Sequence, residues 1–136
     1  MKVAIITAST AVYKGEQEDA SGKVIRKMVE EAGLDVVFMK ALPTDKTVLS
    51  TVFQRMADGN LADLILTTGG TGFAQRDMTP EATIAVCDRM ANGIADAIRN
   101  YSMTITDRAM FSRAVSGLRK KTLIINLPGS PKAVTE

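Results

Sequence analysis

The sequence predicts an α/β fold with a mainly parallel sheet, and three observations carry that prediction. Short, nearly continuous apolar runs alternate with longer segments of helical period. The runs are rich in Val, Ile and Leu, as strands covered on both faces require. A polar or glycine-bearing loop follows most runs, where parallel sheets of this class place their ligands. At 136 residues the chain is expected to form one domain, 1–136, with a single sizeable core.

The elements follow in order. "KVAIIT" (2–7) reads as a buried strand, and "ASTAVYKGEQEDASG" as a polar loop. From Ser21 the spacing turns helical, with Val24, Ile25, Met28, Val29 and Ala32 on one face and Gly33 as the stop. "LDVVFMKAL" (34–42) is the second strand. A helix after "PTD" carries Val48, Leu49, Val52, Phe53 and Met56 and ends near Gly59. "ADLILTT" (62–68) is the third strand. Pro80 fits a first helical turn and Glu81 suits the helix dipole there. That helix is expected to continue through Ile84 and Ala85 to Cys87–Met90. "GIADAIRNYSM" (93–103) gives another helix, with Ile94, Ala97, Ile98 and Tyr101 in register. "VSGLRKKTLIINLPG" (115–129) reads as two strands around an exposed basic turn, and methionines at helical spacing read as core filler.

Composition narrows the function. Lys plus Arg total 17 against 15 Asp plus Glu, a net charge of +2 that is too mild for a nucleic-acid binder. There is no histidine, which excludes His-based metal sites and His-dependent triads. Cys87 is the only cysteine, so no internal disulfide forms and a reducing compartment is expected. The opening "MKVAIITAST" lacks a signal-peptide layout and no apolar run is long enough to span a membrane. The expectation is a cytoplasmic protein with no membrane or nucleic-acid partner.

Four loops should share the carboxyl edge of the sheet: those after 2–7, 34–42, 62–68 and 123–127. "TTGGTG" (67–72) is the most informative. Glycines let a ligand approach the backbone, and successive N–H groups make an anion-binding concavity, with Thr67, Thr68 and Thr71 hydroxyls adding donors. It is neither a Walker A loop nor a dinucleotide GxGxxG, and a plain strand-to-helix turn accounts for it equally well. Arg76 and Asp77 adjoin it. Asp77 fits a turn-capping role or a carboxylate holding Mg²⁺ near phosphates. Asp45 is similarly open between the N-cap of the following helix and a metal ligand. In "NLPGSPK", Gly129 permits a bend and Asn126 and Ser130 suit a polar ring or phosphate, or simply a strand-to-helix connection. "FSR" pairs Ser112 with Arg113, whose fork suits phosphate or solvent. Asp35 and Asp63 begin or precede strands and belong at the opposite edge.

Together "DASG" (19–22), "LPTD" (42–45), "LILTTGGTGFAQRDMTPEAT" (64–83) and "MFSRAVSGLRKKTLIINLPGSPKAV" (110–134) make the chain resemble the MogA/MoaB family of molybdenum-cofactor biosynthesis proteins. The resemblance implies a three-layer α/β/α fold, assembled as a homotrimer or homohexamer. It implies adenylylation of molybdopterin by ATP, with Mg²⁺, giving adenylyl-molybdopterin and pyrophosphate. By motif position Asp45 and Asp77 match the family's two essential aspartates, catalytic and metal-holding. Thr68, Gly69, Gly70, Thr71, Gly72 and Arg76 fall in its molybdopterin/nucleotide loop. Ser112 and the turn Asn126, Pro128, Gly129, Ser130 match positions lining the pterin site. Hand-over of product to a molybdenum-insertion protein is a further implication. The alternative within the family is a MoaB-type protein that holds molybdopterin without adenylylating it. Family members usually carry a C-terminal helix beyond the point where these 136 residues stop, so that helix is expected to be lacking.

Overall fold

A computed structural model describes residues 1–128. Strand β1 (Lys2–Ala8) is followed by a one-turn helix α1 (Thr10–Tyr13) and by α2 (Ala20–Glu31). Then come β2 (Asp35–Leu42), α3 (Lys46–Asp58), β3 (Leu64–Thr68) and α4 (Thr79–Val86). A two-residue β4 (Arg89–Met90), α5 (Asn92–Met103) and a 3₁₀ turn (Asp107–Phe111) precede the hairpin of β5 (Ser116–Arg119) and β6 (Thr122–Leu127). The six strands lie in the order β2-β1-β3-β6-β5-β4. The first four are parallel, and β5 and β4 add antiparallel to the β6 edge.

β1 is buried from Val3 to Ala8, as an apolar run covered on both faces demands. Val3 and Ile5 pack with Ile25 and Val29 of α2 on one face. Ala4 and Ile6 pack with Leu49, Phe53 and Met56 of α3 and Ala82 and Val86 of α4 on the other. The result is the expected three-layer α/β/α sandwich. Register aligns Ala8 with Leu42, Thr7 with Thr68, and Thr68 with Leu127. The parallel strands therefore end together, and the segments following β1, β2 and β3 gather at one edge, with Pro128 at the end of β6. Asp63 sits at the opposite edge, where it accepts the Lys2 backbone N–H at 2.8 Å. No helix among the described residues is long and apolar enough to cross a membrane.

The structure departs from the sequence reading in several places. The loop after β1 contains α1, which Ser9 caps by accepting the Val12 N–H at 3.3 Å. On α2 the buried face is Ser21, Gly22, Ile25 and Val29, whereas Met28 and Ala32 are exposed. Gly22 fits there because the Asp19 carboxylate, the α2 cap, lies 2.4 Å from where a Cβ would stand. α4 ends at Val86 instead of running to Met90. The Val86 carbonyl is taken by the Arg119 guanidinium at 2.7 Å, and Asp88 N–H bonds the Leu118 carbonyl at 2.8 Å. These bonds pull residues 88–90 into the sheet edge. Arg119 is thus a clasp rather than part of a solvated turn, and it also bonds Asp58 at the end of α3. α5 buries only Ala95, while Ile94, Ala97 and Tyr101 face outward. Of the methionines on helices, Met56 alone is buried among the described residues.

Candidate active site

The glycine turn after β3 is built so that its backbone has one conformation. Gly69 has φ +89° and Gly70 φ +71°, a region that L side chains avoid. A Cβ on Gly69 would stand 2.6 Å from the Ala8 carbonyl oxygen, and one on Gly70 would stand 2.3 Å from Thr79 Oγ1. All four carbonyls of the turn are held from behind. Gly69 O accepts from the Thr79 hydroxyl at 2.9 Å and Gly70 O from the Thr79 N–H at 3.2 Å. Thr71 O accepts the Arg113 backbone N–H at 2.8 Å, and Gly72 O accepts Arg113 Nε at 2.7 Å. The N–H groups of Gly70, Thr71 and Gly72 have no partner among the described residues. With its carbonyls held and these N–H groups unpartnered among the described residues, the turn has the donors that binding an anion requires. Thr68 does not add its hydroxyl to those donors, because it donates to the Pro128 carbonyl at 2.5 Å.

Asp77 closes the same loop. Its Oδ2 accepts the Ala74 N–H at 3.1 Å while its own N–H bonds the Ala74 carbonyl at 2.9 Å. Arg76 beside it is exposed, and its guanidinium has no partner among the described residues. Glu81, in the first turn of α4, pairs with Arg113 through both oxygens, at 2.6 and 3.1 Å. The hydrogen bond from Arg113 holds the Glu81 carboxyl below its ordinary value, and Glu81 raises the guanidinium in turn.

Asp45 arrives from the β2 end. It is the N-cap of α3, accepting the Val48 N–H at 3.0 Å through Oδ1. Its loop is stitched to the β1 end by Thr44 N–H donating to Thr10 Oγ1 at 3.1 Å. β1 lies between β2 and β3. The loops of Asp45 and Asp77 therefore root two strand spacings apart, roughly 10 Å along the edge. Both aspartates are exposed or half-buried, and each keeps an oxygen without a partner among the described residues. Among those residues no three acidic, cysteine or histidine side chains converge on one point that could hold a metal. This donor set does not make a protein cage. It does fit Mg²⁺ carried on a polyphosphate, which takes one or two carboxylates and completes its shell from phosphates and water.

Beside the turn opens a cleft of about 410 Å³. Thr71 and Gly72 line it from the turn, Ser112 from the segment after the 3₁₀ turn, and Asn126 and Pro128 from the end of β6. Five predicted site residues thus meet in one cavity, whereas Asp45, Thr68, Gly69, Gly70, Arg76 and Asp77 lie outside its lining. Gly129 and Ser130 lie outside the described residues. Asn126 is fully buried. Its amide donates to Thr67 Oγ1 and Thr83 Oγ1, both at 3.0 Å, and its oxygen accepts the Val115 N–H at 3.1 Å. Its two donors are spent inside the fold, so its part in the cleft is that of a fixed wall rather than a ligand donor.

The opposite wall was not foreseen. It comes from α5 and the 3₁₀ turn, through Ile98, Arg99, Ser102 and Phe111 among others. Arg99 links this wall to the rest by donating to the Ser112 and Ala114 carbonyls at 3.1 and 2.5 Å. Phe111 stacks edge-on against Phe73 of the glycine loop, with ring centroids 5.5 Å apart. The local signal for this wall was the helical period of 93–103, which pointed its apolar side chains to the core and not to a cavity.

Comparison with known proteins identifies the family and the fold. A family model described as "Probable molybdopterin binding domain" matches residues 4–136. The chain is 38% identical over 136 residues to a molybdopterin adenylyltransferase of Helicobacter pylori, covering 98% of this chain and 77% of that one. Among solved structures it resembles the molybdopterin biosynthesis enzyme MoaB from Thermus thermophilus, with a TM-score of 0.91 and 40% identity over 98% of this chain and 84% of that one. The molybdopterin biosynthesis Mog protein from Mycobacterium ulcerans gives a TM-score of 0.91 and 37% identity, covering 98% and 87% of the two chains. With nearly all of the sandwich, the glycine turn and the cleft inside the matched region, the chain belongs to the molybdopterin-binding domain family.

Proposed function

We propose that this protein is a molybdopterin adenylyltransferase of molybdenum-cofactor biosynthesis, using ATP and Mg²⁺. The observation that carries the reading is the glycine turn, whose four held carbonyls leave three adjacent N–H groups without a partner among the described residues, with Thr71 and Gly72 lining a cleft. The 38% identity to a chain named for this activity supports it.

The nucleophile is the terminal phosphate of molybdopterin, which is anionic at neutral pH and needs no strong base. A protein without histidine can therefore run the reaction. A phosphate oxygen attacks the α-phosphorus of ATP, a new phosphoanhydride forms, and the α–β bond breaks with its electron pair leaving on pyrophosphate. The barrier is positional and electrostatic, since two anions must meet in line. The N–H groups of Gly70, Thr71 and Gly72 bind phosphate, and exposed Arg76 adds positive charge at the rim. Asp45 and Asp77 would hold Mg²⁺ together with the nucleotide phosphates, where the bound ion supplies charge neutralisation. Ser112, Asn126 and Pro128, with Gly129 and Ser130 beyond them, shape the pterin side.

The proposal extends to a homotrimer or homohexamer in the cytoplasm that passes its product to a molybdenum-insertion protein. The test of the chemistry is incubation with molybdopterin, ATP and Mg²⁺ and detection of adenylyl-molybdopterin and pyrophosphate. Molybdopterin binding without product overturns the enzyme reading in favour of a pterin-holding protein. Asp77→Asn and Asp45→Asn should each lower turnover about tenfold or more. Wild-type turnover in both variants would remove these two residues from the mechanism.

A further inference from the structure

In sequence the Arg113 fork suits phosphate or solvent, yet its guanidinium is turned into the protein. Nε donates to the Gly72 carbonyl at 2.7 Å, and Nη2 to the Asp77 carbonyl at 2.7 Å. Nη1 and Nη2 also grip the two Glu81 oxygens at 2.6 and 3.1 Å. These bonds engage most of the five N–H groups an arginine owns, and Arg113 is absent from the lining of the cleft. Its backbone N–H adds the bond to the Thr71 carbonyl at 2.8 Å.

One residue therefore holds three carbonyls of the active-site loop: Thr71, Gly72 and Asp77. A peptide plane fixed at its carbonyl is fixed at the N–H on its other side. The Thr71 carbonyl shares its plane with the free Gly72 N–H, so anchoring the first aims the second. Glu81 supplies the counter-anchor from α4, with both oxygens on Arg113 and neither spare for the substrate.

We propose that Arg113, seated on Glu81, is a positioning residue for adenylyl transfer: it sets the orientation of the Thr71–Gly72 peptide and of the Asp77 backbone without touching either substrate. The inference rests on the adenylyl-transfer reading above. Lysine cannot replace it, because a single ammonium cannot reach two separated carbonyls and a carboxylate in one plane.

The test is a kinetic double-mutant cycle on the full chain with Arg113→Lys, Asp77→Asn and the double variant. If Arg113 acts through the loop, Arg113→Lys lowers kcat by about 10- to 100-fold, as small misplacements at a reacting centre do. The double variant is then little worse than Asp77→Asn alone. Losses that multiply overturn the proposal, as does a raised KM for ATP with kcat unchanged, which would mark a direct substrate contact. If Arg113→Lys does not fold, Glu81→Gln, which keeps one acceptor oxygen, tests the same brace. It is expected to lower kcat by about two- to tenfold in the wild-type background and not in the Asp77→Asn background. Should the wild type make no adenylyl-molybdopterin, the functional reading fails by itself. The brace is then judged by amide resonances: Arg113→Lys should move the Gly72 and Met78 N–H signals and leave those of β2 in place, and unmoved loop signals overturn it.

Discussion

Four consecutive carbonyls are tied down in the glycine turn, whereas α5, which shares the cleft with it, buries a single side chain, Ala95. Behind the turn runs a chain of buried hydroxyls and an amide: Asn126 donates to Thr83, Thr83 to the Thr79 carbonyl, and the Thr79 hydroxyl to Gly69. Every buried side-chain polar atom among the described residues finds a partner. On the other wall Phe111 is 53% exposed, and Arg99 ties the wall to the Ser112 and Ala114 carbonyls. The difference is one between a turn tied down carbonyl by carbonyl and a wall held through Arg99 with an edge-on, half-exposed ring at its rim. The first is preorganised for a small ligand group of fixed geometry, such as a phosphate. The second can shift to follow a larger, flatter one at little cost, because few packed contacts must break.

The strongest way to break this comparison is to place the same methyl in the glycine turn and in α5. Gly69→Ala demands a residue at φ +89° with its Cβ 2.6 Å from a backbone oxygen that cannot swing away. The left-handed strain and the overpacking together should cost about 3 kcal/mol. Urea denaturation measures it, and a cost below about 1 kcal/mol would mean that the turn yields and is not rigid.

A smaller effect sharpens the account of the brace. Glu81 titrates at lower pH in the folded protein than in the unfolded chain, because Arg113 hydrogen-bonds its carboxylate. The folded state then binds fewer protons through the acid range. The stability this pair supplies is fully present above the unfolded carboxyl value and is lost as pH falls through the lower folded value. The side chains are about one-third exposed, so the contribution is about 1 kcal/mol. Glu81→Gln should flatten this part of the acid limb of a stability-against-pH curve. An unchanged limb would show that the pair is not formed in solution.

Legibility in the sequence follows the same division. β1, β3 and β6 were readable because strands covered on both faces need unbroken apolar runs, a purely local signal. The Asp45 cap and the Pro80 start of α4 were also readable, since caps act within four residues. The glycine turn and Asp77 could be located for the same reason. β4 was not readable: residues 87–90 continue the helical spacing, and what diverts them is Gly117 and Arg119, some thirty positions away. Gly117 makes room for the Cys87 sulfur, which would lie 2.6 Å from a Cβ there. Burial then pushes that thiol up to about 11, so it is inert packing. Arg119 read as an exposed turn and Arg113 as suited to phosphate or solvent because their partners, Gly72, Asp77 and Glu81 for Arg113, Asp58 and Val86 for Arg119, are set by the tertiary fold. The α5 wall was misread in facing because its apolar side chains line a cavity and the solvent rather than the core.

The smallest expected effect tests α5 directly. Gly93 lies in the first turn of α5, outside the left-handed region, and a Cβ there would meet nothing within 4 Å. Alanine at such a site removes freedom from the unfolded chain without straining the folded one. Gly93→Ala should therefore stabilise by about 0.5 kcal/mol, opposite in sign to Gly69→Ala, with turnover close to wild type. Thermal denaturation read beside the adenylyl-transfer assay checks both. A destabilised Gly93→Ala would mean that α5 is packed against something near its start, and α5 would then be as fixed as the glycine turn.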